Sequence, residues 1–120
     1  MRTVYLKQAS FSTITFIVVA IIALAGVRAL MTGEVQTDRG AQLFQEHGCG
    51  RCHYTDSTEP RMGPGLAGLF EQERLPYSDK MVTEENVRDQ LLDPYATMPS
   101  YEDDLTHDEI DAIIDYLKTL

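Results

Sequence analysis

The chain has 120 residues, with 10 basic and 19 acidic side chains, a formal net charge of −9 and two cysteines. A chain of this length has room for one small domain in addition to a membrane segment. Its negative charge makes nucleic acid an implausible partner. All 19 acidic residues lie beyond residue 33, where they and seven basic residues give a charge of −12. That acidic surface is either simply solvated or steers the chain toward a basic docking face.

Residues 1–33 are predicted to form a membrane anchor. Phe11–Val27 carries no charge, and if Arg28 snorkels the stretch extends to Leu30, about 20 residues, which is enough to span a bilayer. The alternative is a cleavable signal peptide, because the start is basic and Ala23-Leu24-Ala25 fits a cleavage site. In both cases the basic start stays inside, and the rest of the chain is expected on the extracytoplasmic side.

Residues 34–37 are predicted to be a short linker, followed by a domain over residues 38–120. Asp38 is placed to cap a first helix, with Gly48 at its left-handed end. Within that helix Gly40 and Phe44 lie one turn apart on the same face, where a glycine lets a second helix approach closely.

Two more helices are predicted near the end of the chain. One begins at Thr83–Asn86, buries Val87 and Leu91, and ends before Asp93-Pro94. The other begins with the capping-box pattern Thr106–Glu109, and its apolar face repeats at i, i+3, i+4 and i+7: Ile110, Ile113, Ile114 and Leu117. That face should pack on the first helix. Residues 54–81 are rich in Gly and Pro and are predicted to be loop, so the domain is all-α.

The sequence Cys49-Gly50-Arg51-Cys52-His53 is a C-x-x-C-H motif, the signature of covalent c-type haem attachment. The two thiols can reach the two vinyl groups of one porphyrin, and the imidazole of His53 then lies under the iron. A redox-active pair, half of a zinc site and a structural disulfide are the alternatives. A redox-active pair is typical of a βαβ context, which this chain lacks. A zinc site needs four ligands, and only His47 and His107 remain as further nitrogen donors. We therefore expect one covalently bound haem c.

Taken together, the motifs resemble a class I cytochrome c over roughly residues 37–120. The matching elements follow the family's order: the leading helix with Gly40 and Leu43-Phe44, C-x-x-C-H, Gly63–Leu66, Met98-Pro99-Ser100-Tyr101 and the final helix. The resemblance implies a small all-α class I cytochrome c fold around one covalent haem. The single transmembrane helix predicted before it lies outside the match.

The resemblance also implies roles for single residues. His53 and Met98 would be the two axial ligands of the iron, because the M-P-S-Y segment is similar to the family's axial-ligand loop. The carbonyl of Pro64 would accept a hydrogen bond from His53, and Tyr77 would lie near a haem propionate. The chain has no tryptophan, which many relatives place near that propionate. Met62 and Met81 are interpreted as core filler.

With both axial positions filled, the iron can move one electron but has no open site for a substrate, so an electron carrier and not an enzyme is predicted. We expect a membrane-anchored mono-haem cytochrome that passes electrons between membrane redox complexes of a respiratory or photosynthetic chain. Its haem domain would face the periplasm, outside the bacterial cytoplasmic membrane. The alternative is a fixed cytochrome c subunit of a terminal oxidase, a nitric oxide reductase or a quinol-oxidising complex. Ligand sensing or peroxidase chemistry would require Met98 to leave the iron.

Overall fold

The computed structural model describes residues 34–120. They contain three helices and two short 3-10 turns, which are joined by loops. Helix α1 covers residues 34–46, and the turns lie at Cys49–Arg51 and Leu69–Glu71. Helix α2 is Glu84–Leu92 and helix α3 is His107–Leu117. Across residues 34–120 the only pairing of extended backbone is one bridge between Arg74 and Met81, so the all-α prediction is confirmed.

The predicted anchor at residues 1–33 lies outside the described residues. Val35–Leu120 forms one compact unit. Among the described helices, none is both long and apolar enough to cross a membrane.

Helix α3 is the centre of the core and begins where its capping box predicts. The backbone N–H of Glu109 donates to Thr106 Oγ1 over 3.4 Å, and the N–H of Thr106 donates to Glu109 Oε2 over 3.0 Å. These two bonds satisfy amides that the first turn of a helix leaves without partners. The predicted apolar face is buried, with the lowest exposure at its three isoleucines; its members are Ile110, Ile113, Ile114 and Leu117.

Helix α1 crosses α3 at Gly40, in direct backbone contact. A Cβ atom on Gly40 would collide with the carbonyl oxygen of Ala112 and lie 2.7 Å from Cβ of Tyr116. One turn later the ring of Phe44 meets the ring of Tyr116 edge-on, with centroids 5.6 Å apart. The predicted close approach at Gly40 is therefore confirmed.

The expected helix cap at Asp38 is wrong. Residues 34–37 are already helical, so Asp38 lies inside α1 and its backbone is not at a helix start. Aspartate before an apolar run is a local signal, and it does not exclude helix on its amino-terminal side. The division into an anchor, a linker and a domain at residue 38 stays a prediction.

Helix α2 begins and ends as predicted. Thr83 caps it, accepting a hydrogen bond from the N–H of Asn86 over 3.1 Å, and Val87 and Leu91 are buried. The helix packs on α3, where Arg88 forms an ion pair with Asp111.

We predict that Gly40→Ala destabilises the domain by about 2 to 3 kcal/mol, because the added methyl group forces α1 and α3 apart. Urea denaturation of the haem-loaded protein, followed by circular dichroism, measures the effect. Gly50→Ala is the matched control, since its Cβ would meet only the Phe44 ring, at 3.8 Å. Equal stabilities of the two variants would contradict the crossing at Gly40.

We also predict a pH-dependent contribution from Glu109. Hydrogen bonds from the backbone and the hydroxyl of Thr106, assisted by Arg39, hold the pKa of this carboxyl below its ordinary value of 4.5. A depressed pKa stabilises the folded state above the unfolded pKa, and this contribution is lost as the pH falls through the folded value. The free energy of unfolding of the native protein should therefore exceed that of Glu109→Gln at about pH 5, and this difference should shrink as the pH falls to about 3. Urea denaturation at each pH measures it. A difference independent of pH would exclude this contribution.

Candidate functional site

The C-x-x-C-H motif lies on a tight turn directly after α1. Gly48 ends the helix in the left-handed conformation, with φ of 70°, which suits a residue without a side chain. The N–H groups of Cys52 and His53 both donate to the carbonyl of Cys49, over 3.1 and 3.0 Å. Both cysteines are free thiols, Cys49 buried and Cys52 half-buried. One compact turn thus presents both thiols and the imidazole.

The imidazole of His53 has a fixed orientation. Its Nδ1 lies 2.8 Å from the carbonyl oxygen of Pro64. A carbonyl only accepts hydrogen bonds, so Nδ1 must carry the proton, and Nε2 then holds the lone pair that can bind a metal. A Cβ atom on Gly63 would lie 2.5 Å from Cε1 of the ring, so the ring packs flat against a position that must be glycine.

The loop after the motif is tied back onto it. The N–H of Gly63 donates to the carbonyl of Cys52 over 2.9 Å, and the N–H of Leu66 donates to the carbonyl of Tyr54 over 2.8 Å. Gly65 runs so close to the backbone of residues 57–59 that a side chain there would collide with it. These contacts hold Pro64 where its carbonyl meets His53.

The buried side of the turn is uncharged at neutral pH. Burial raises the pKa of the Cys49 thiol, and burial together with the neighbouring Cys49 raises the pKa of Tyr101 to about 12. The ring of His47 packs edge-on against the ring of Tyr101, with centroids 6.0 Å apart. A neutral, apolar lining of this kind suits the macrocycle of a porphyrin. Sequence reasoning quoted Tyr101 in the M-P-S-Y segment but gave it no role.

Met98 is half-buried and packs against the hydrophobic core that also contains Cys49. Its sulfur lies 3.7 Å from Nε2 of Gln90, which donates to it. Sequence reasoning missed Gln90, although its position three residues after the buried Val87 places it on the inner side of α2. Met62 and Met81 are 77% and 57% exposed, so their interpretation as core filler is wrong.

An open groove of about 500 Å³ lies beside the loop whose Pro64 carbonyl meets His53. Pro64, Gly65, Pro76 and Tyr77 are among the residues that line it. The side chain of Tyr77 is 69% exposed, and its backbone is left-handed with φ of 69°. The next residue, Ser78, has a buried hydroxyl without a hydrogen-bond partner. A buried hydroxyl without a partner costs free energy, and a carboxylate such as a haem propionate would satisfy it. The role of Tyr77 stays a prediction.

The donor set of the site fits haem. The turn offers two free thiols and one imidazole whose Nε2 is the basic nitrogen, and Ser78, later in the chain, has a buried hydroxyl that a propionate could satisfy. The half-buried thioether of Met98 packs against the core that contains Cys49. Within residues 34–120 no three His, Cys, Asp or Glu side chains are arranged to hold a bare metal ion, so a zinc site at Cys49 and Cys52 lacks its remaining ligands there.

Comparison with known proteins agrees with this chemistry. The sequence pattern of the family described as Cytochrome c matches residues 37–120. Cytochrome c oxidase subunit 2 of Alkalihalophilus pseudofirmus is 29% identical over 93 residues, which is 72% of this chain and 26% of that protein. The chain therefore spans about a quarter of the length of this curated relative. With its helices, its C-x-x-C-H turn and this family match, the chain belongs to the cytochrome c family, whose cofactor is covalently bound haem c.

Proposed function

We propose that this cytochrome c carries single electrons between membrane redox complexes on the extracytoplasmic side of the bacterial cytoplasmic membrane, held there by an anchor in residues 1–33. The observation that carries the proposal is the turn with Cys49, Cys52 and His53, whose imidazole is oriented by the carbonyl of Pro64. The uncharged run from Phe11 to Val27 supports the anchor.

In this proposal each residue has a defined task. Haem iron supplies a one-electron couple between the ferrous and ferric states. Cys49 and Cys52 would hold the haem through thioether bonds, and His53, through Nε2, and Met98, through its sulfur, would bind its iron. Pro64 fixes the tautomer of His53, and Gln90 donates to the sulfur of Met98. Cys49 lies in the hydrophobic core and Met98 packs against that core, which would limit the access of solvent to the haem.

A second function is favoured by the comparison with cytochrome c oxidase subunit 2. In that case the chain would be a fixed electron-entry subunit of a membrane oxidoreductase and would not diffuse between complexes. A domain beginning near residue 38 close behind its anchor could serve one adjoining complex well, because a short tether gives a high effective concentration at that complex alone.

We predict that Met98→Ala lowers the reduction potential of the haem and lets ferrous iron bind carbon monoxide, because a thioether ligand favours reduced iron and blocks the sixth position. Redox titration and visible spectra of the full-length protein measure both effects. Met62→Ala is the matched control, since that methionine is exposed. An unchanged potential and no carbon monoxide binding in Met98→Ala would exclude Met98 as a ligand.

We predict a smaller effect for Gln90→Leu, which removes the hydrogen-bond donor to the sulfur of Met98 and keeps Met98 itself. Loss of the donor should lower the potential by less than loss of the thioether does, because a hydrogen bond to the sulfur weakens its donation to ferric iron. The iron should still exclude carbon monoxide. If Gln90→Leu instead behaves like Met98→Ala, then Gln90 mainly supports the fold of the methionine loop.

The carrier and the fixed subunit differ in the size of the native assembly. We predict that gently solubilised membranes, separated on a non-denaturing gel and stained for covalent haem, show this cytochrome near its own mass. Digitonin and a harsher detergent should give the same result, since a carrier has only transient interfaces. Migration with a large complex in digitonin would favour the fixed subunit, and the proteins in that band would name the reaction.

A further inference from the structure

The carboxyl end of helix α2 is closed by the methionine loop, which we define as residues 93–101. The last carbonyl groups of an α-helix have no partner within the helix. The sequence has no glycine after α2 that could close the helix in the usual left-handed turn. Instead, the backbone N–H of Tyr101 donates to the carbonyl of Leu91 over 2.9 Å. The hydroxyl of Ser100 donates to the carbonyl of Leu92 over 2.5 Å. The methionine loop therefore supplies the cap that the helix lacks.

The hydroxyl of Ser100 is bonded on two sides. It donates to Leu92, and its oxygen accepts a hydrogen bond from the backbone N–H of Glu102 over 3.3 Å. A hydroxyl has one hydrogen to donate and lone pairs to accept with, so both bonds form at once. The next residue, Tyr101, is buried, and its carbonyl accepts a hydrogen bond from the N–H of Leu105 over 3.1 Å. Ser100 thus joins the end of α2 to a turn that is itself held in place.

Met98 lies within the loop that these bonds close. Its sulfur accepts a hydrogen bond from Gln90, so three consecutive residues at the end of α2 each contact the methionine loop. Ala96 in the same loop has a left-handed backbone, with φ of 64°, which costs free energy in a residue with a side chain. The path of the loop is therefore not set by local preference alone and depends on its contacts with α2. A movement that carries Met98 away together with its loop must break these bonds.

We propose that Ser100 is a positioning residue that latches the methionine loop to helix α2 and thereby sets how often Met98 leaves the haem iron. This inference rests on the proposed function, since it requires Met98 as the sixth ligand. A small ligand from solution can bind the iron only while Met98 is away from it. The apparent affinity for such a ligand is therefore its intrinsic affinity reduced to the fraction of molecules in which the loop is open.

The latch has a different task from that of Gln90. Gln90 donates to the sulfur itself, and so it acts on the bond between sulfur and iron. The hydroxyl of Ser100 bonds to the backbone of Leu92 and Glu102, and so it acts on the opening of the loop. Removal of the hydroxyl should therefore raise the affinity for an added ligand and leave the reduction potential of the closed form unchanged.

Imidazole, added to the full-length, haem-loaded ferric protein and followed by visible spectra, tests the latch. The test variant is Ser100→Ala, which disturbs no core packing because Ser100 lies at the surface. Thr119→Val is the matched control. Its hydroxyl also lies at the surface and donates to a carbonyl at the end of a helix, that of Tyr116 in α3, over 2.7 Å. Both variants thus lose one bond of the same kind, and only one of these bonds holds the methionine loop.

Ser100→Ala should bind imidazole about fivefold more tightly than the native protein, which is the equilibrium effect of one lost hydrogen bond. The affinity of Thr119→Val should stay within about twofold of the native value, because its lost bond lies outside the loop. The amide hydrogen of Tyr101 should exchange with solvent faster in Ser100→Ala by a similar factor, since opening of the loop frees it from Leu91. Reduction potentials of both variants should equal that of the native protein.

An imidazole affinity of Ser100→Ala equal to the native one would overturn the proposal, even if the Tyr101 amide exchanged faster, because the latch would then not control the sixth position. An equal rise in Thr119→Val would also overturn it, since general loss of stability would then set the affinity. Met98→Ala separates these results from a failure of the proposed function. If it bound imidazole no more tightly than the native protein, Met98 would not be the ligand, and the latch would fall with it.

Discussion

The turn that carries Cys49, Cys52 and His53 is fastened to the loop that follows it, and the rest of the site depends on that fastening. The N–H of Gly63 donates to the carbonyl of Cys52, and Nδ1 of His53 donates to the carbonyl of Pro64. Gly63 has no side chain, which is what lets the imidazole lie against it. These contacts fix the orientation of the imidazole, so that Nε2 is the nitrogen available to a metal. The side chain of Arg61 adds a further link, since its Nη1 donates to the carbonyl of Gly50 in the same turn.

The packing of the helices fixes the position at which the C-x-x-C-H turn begins. Helix α1 ends at the left-handed Gly48, and α1 is itself positioned by its backbone contact with α3 at Gly40. Helix α3 is held by its capping box and by a face of isoleucines at the centre of the core. Helix α2 packs on α3 and brings Gln90 to the sulfur of Met98. A core this small is marginal by area alone, so a covalent cofactor adds substantially to its stability.

Local patterns in the sequence predicted much of this fold. The capping box at Thr106, the start of α2 at Thr83 and the glycine contact at Gly40 each depend on neighbours in the chain or on helical periodicity, and the structure confirms them. The cap at Asp38 was wrong, because a side chain that can cap a helix is also tolerated within one. Contacts between distant segments could not be predicted. Gln90 reaches Met98, and Arg61 reaches Gly50, only after the loops between them have folded. The family resemblance gave the order of motifs and the haem, while the roles of Met98 and Tyr77 stay predictions.

Intact-mass spectrometry of the fully unfolded protein tests most directly whether both cysteines of this chain hold one haem. After purification from a host that matures c-type cytochromes, the unfolded chain is treated with a thiol-alkylating reagent before its mass is measured. We predict the mass of the polypeptide plus one haem, with no alkyl group added, because both thiols are consumed in thioether bonds. A haem-free polypeptide that carries two alkyl groups would contradict covalent attachment at Cys49 and Cys52.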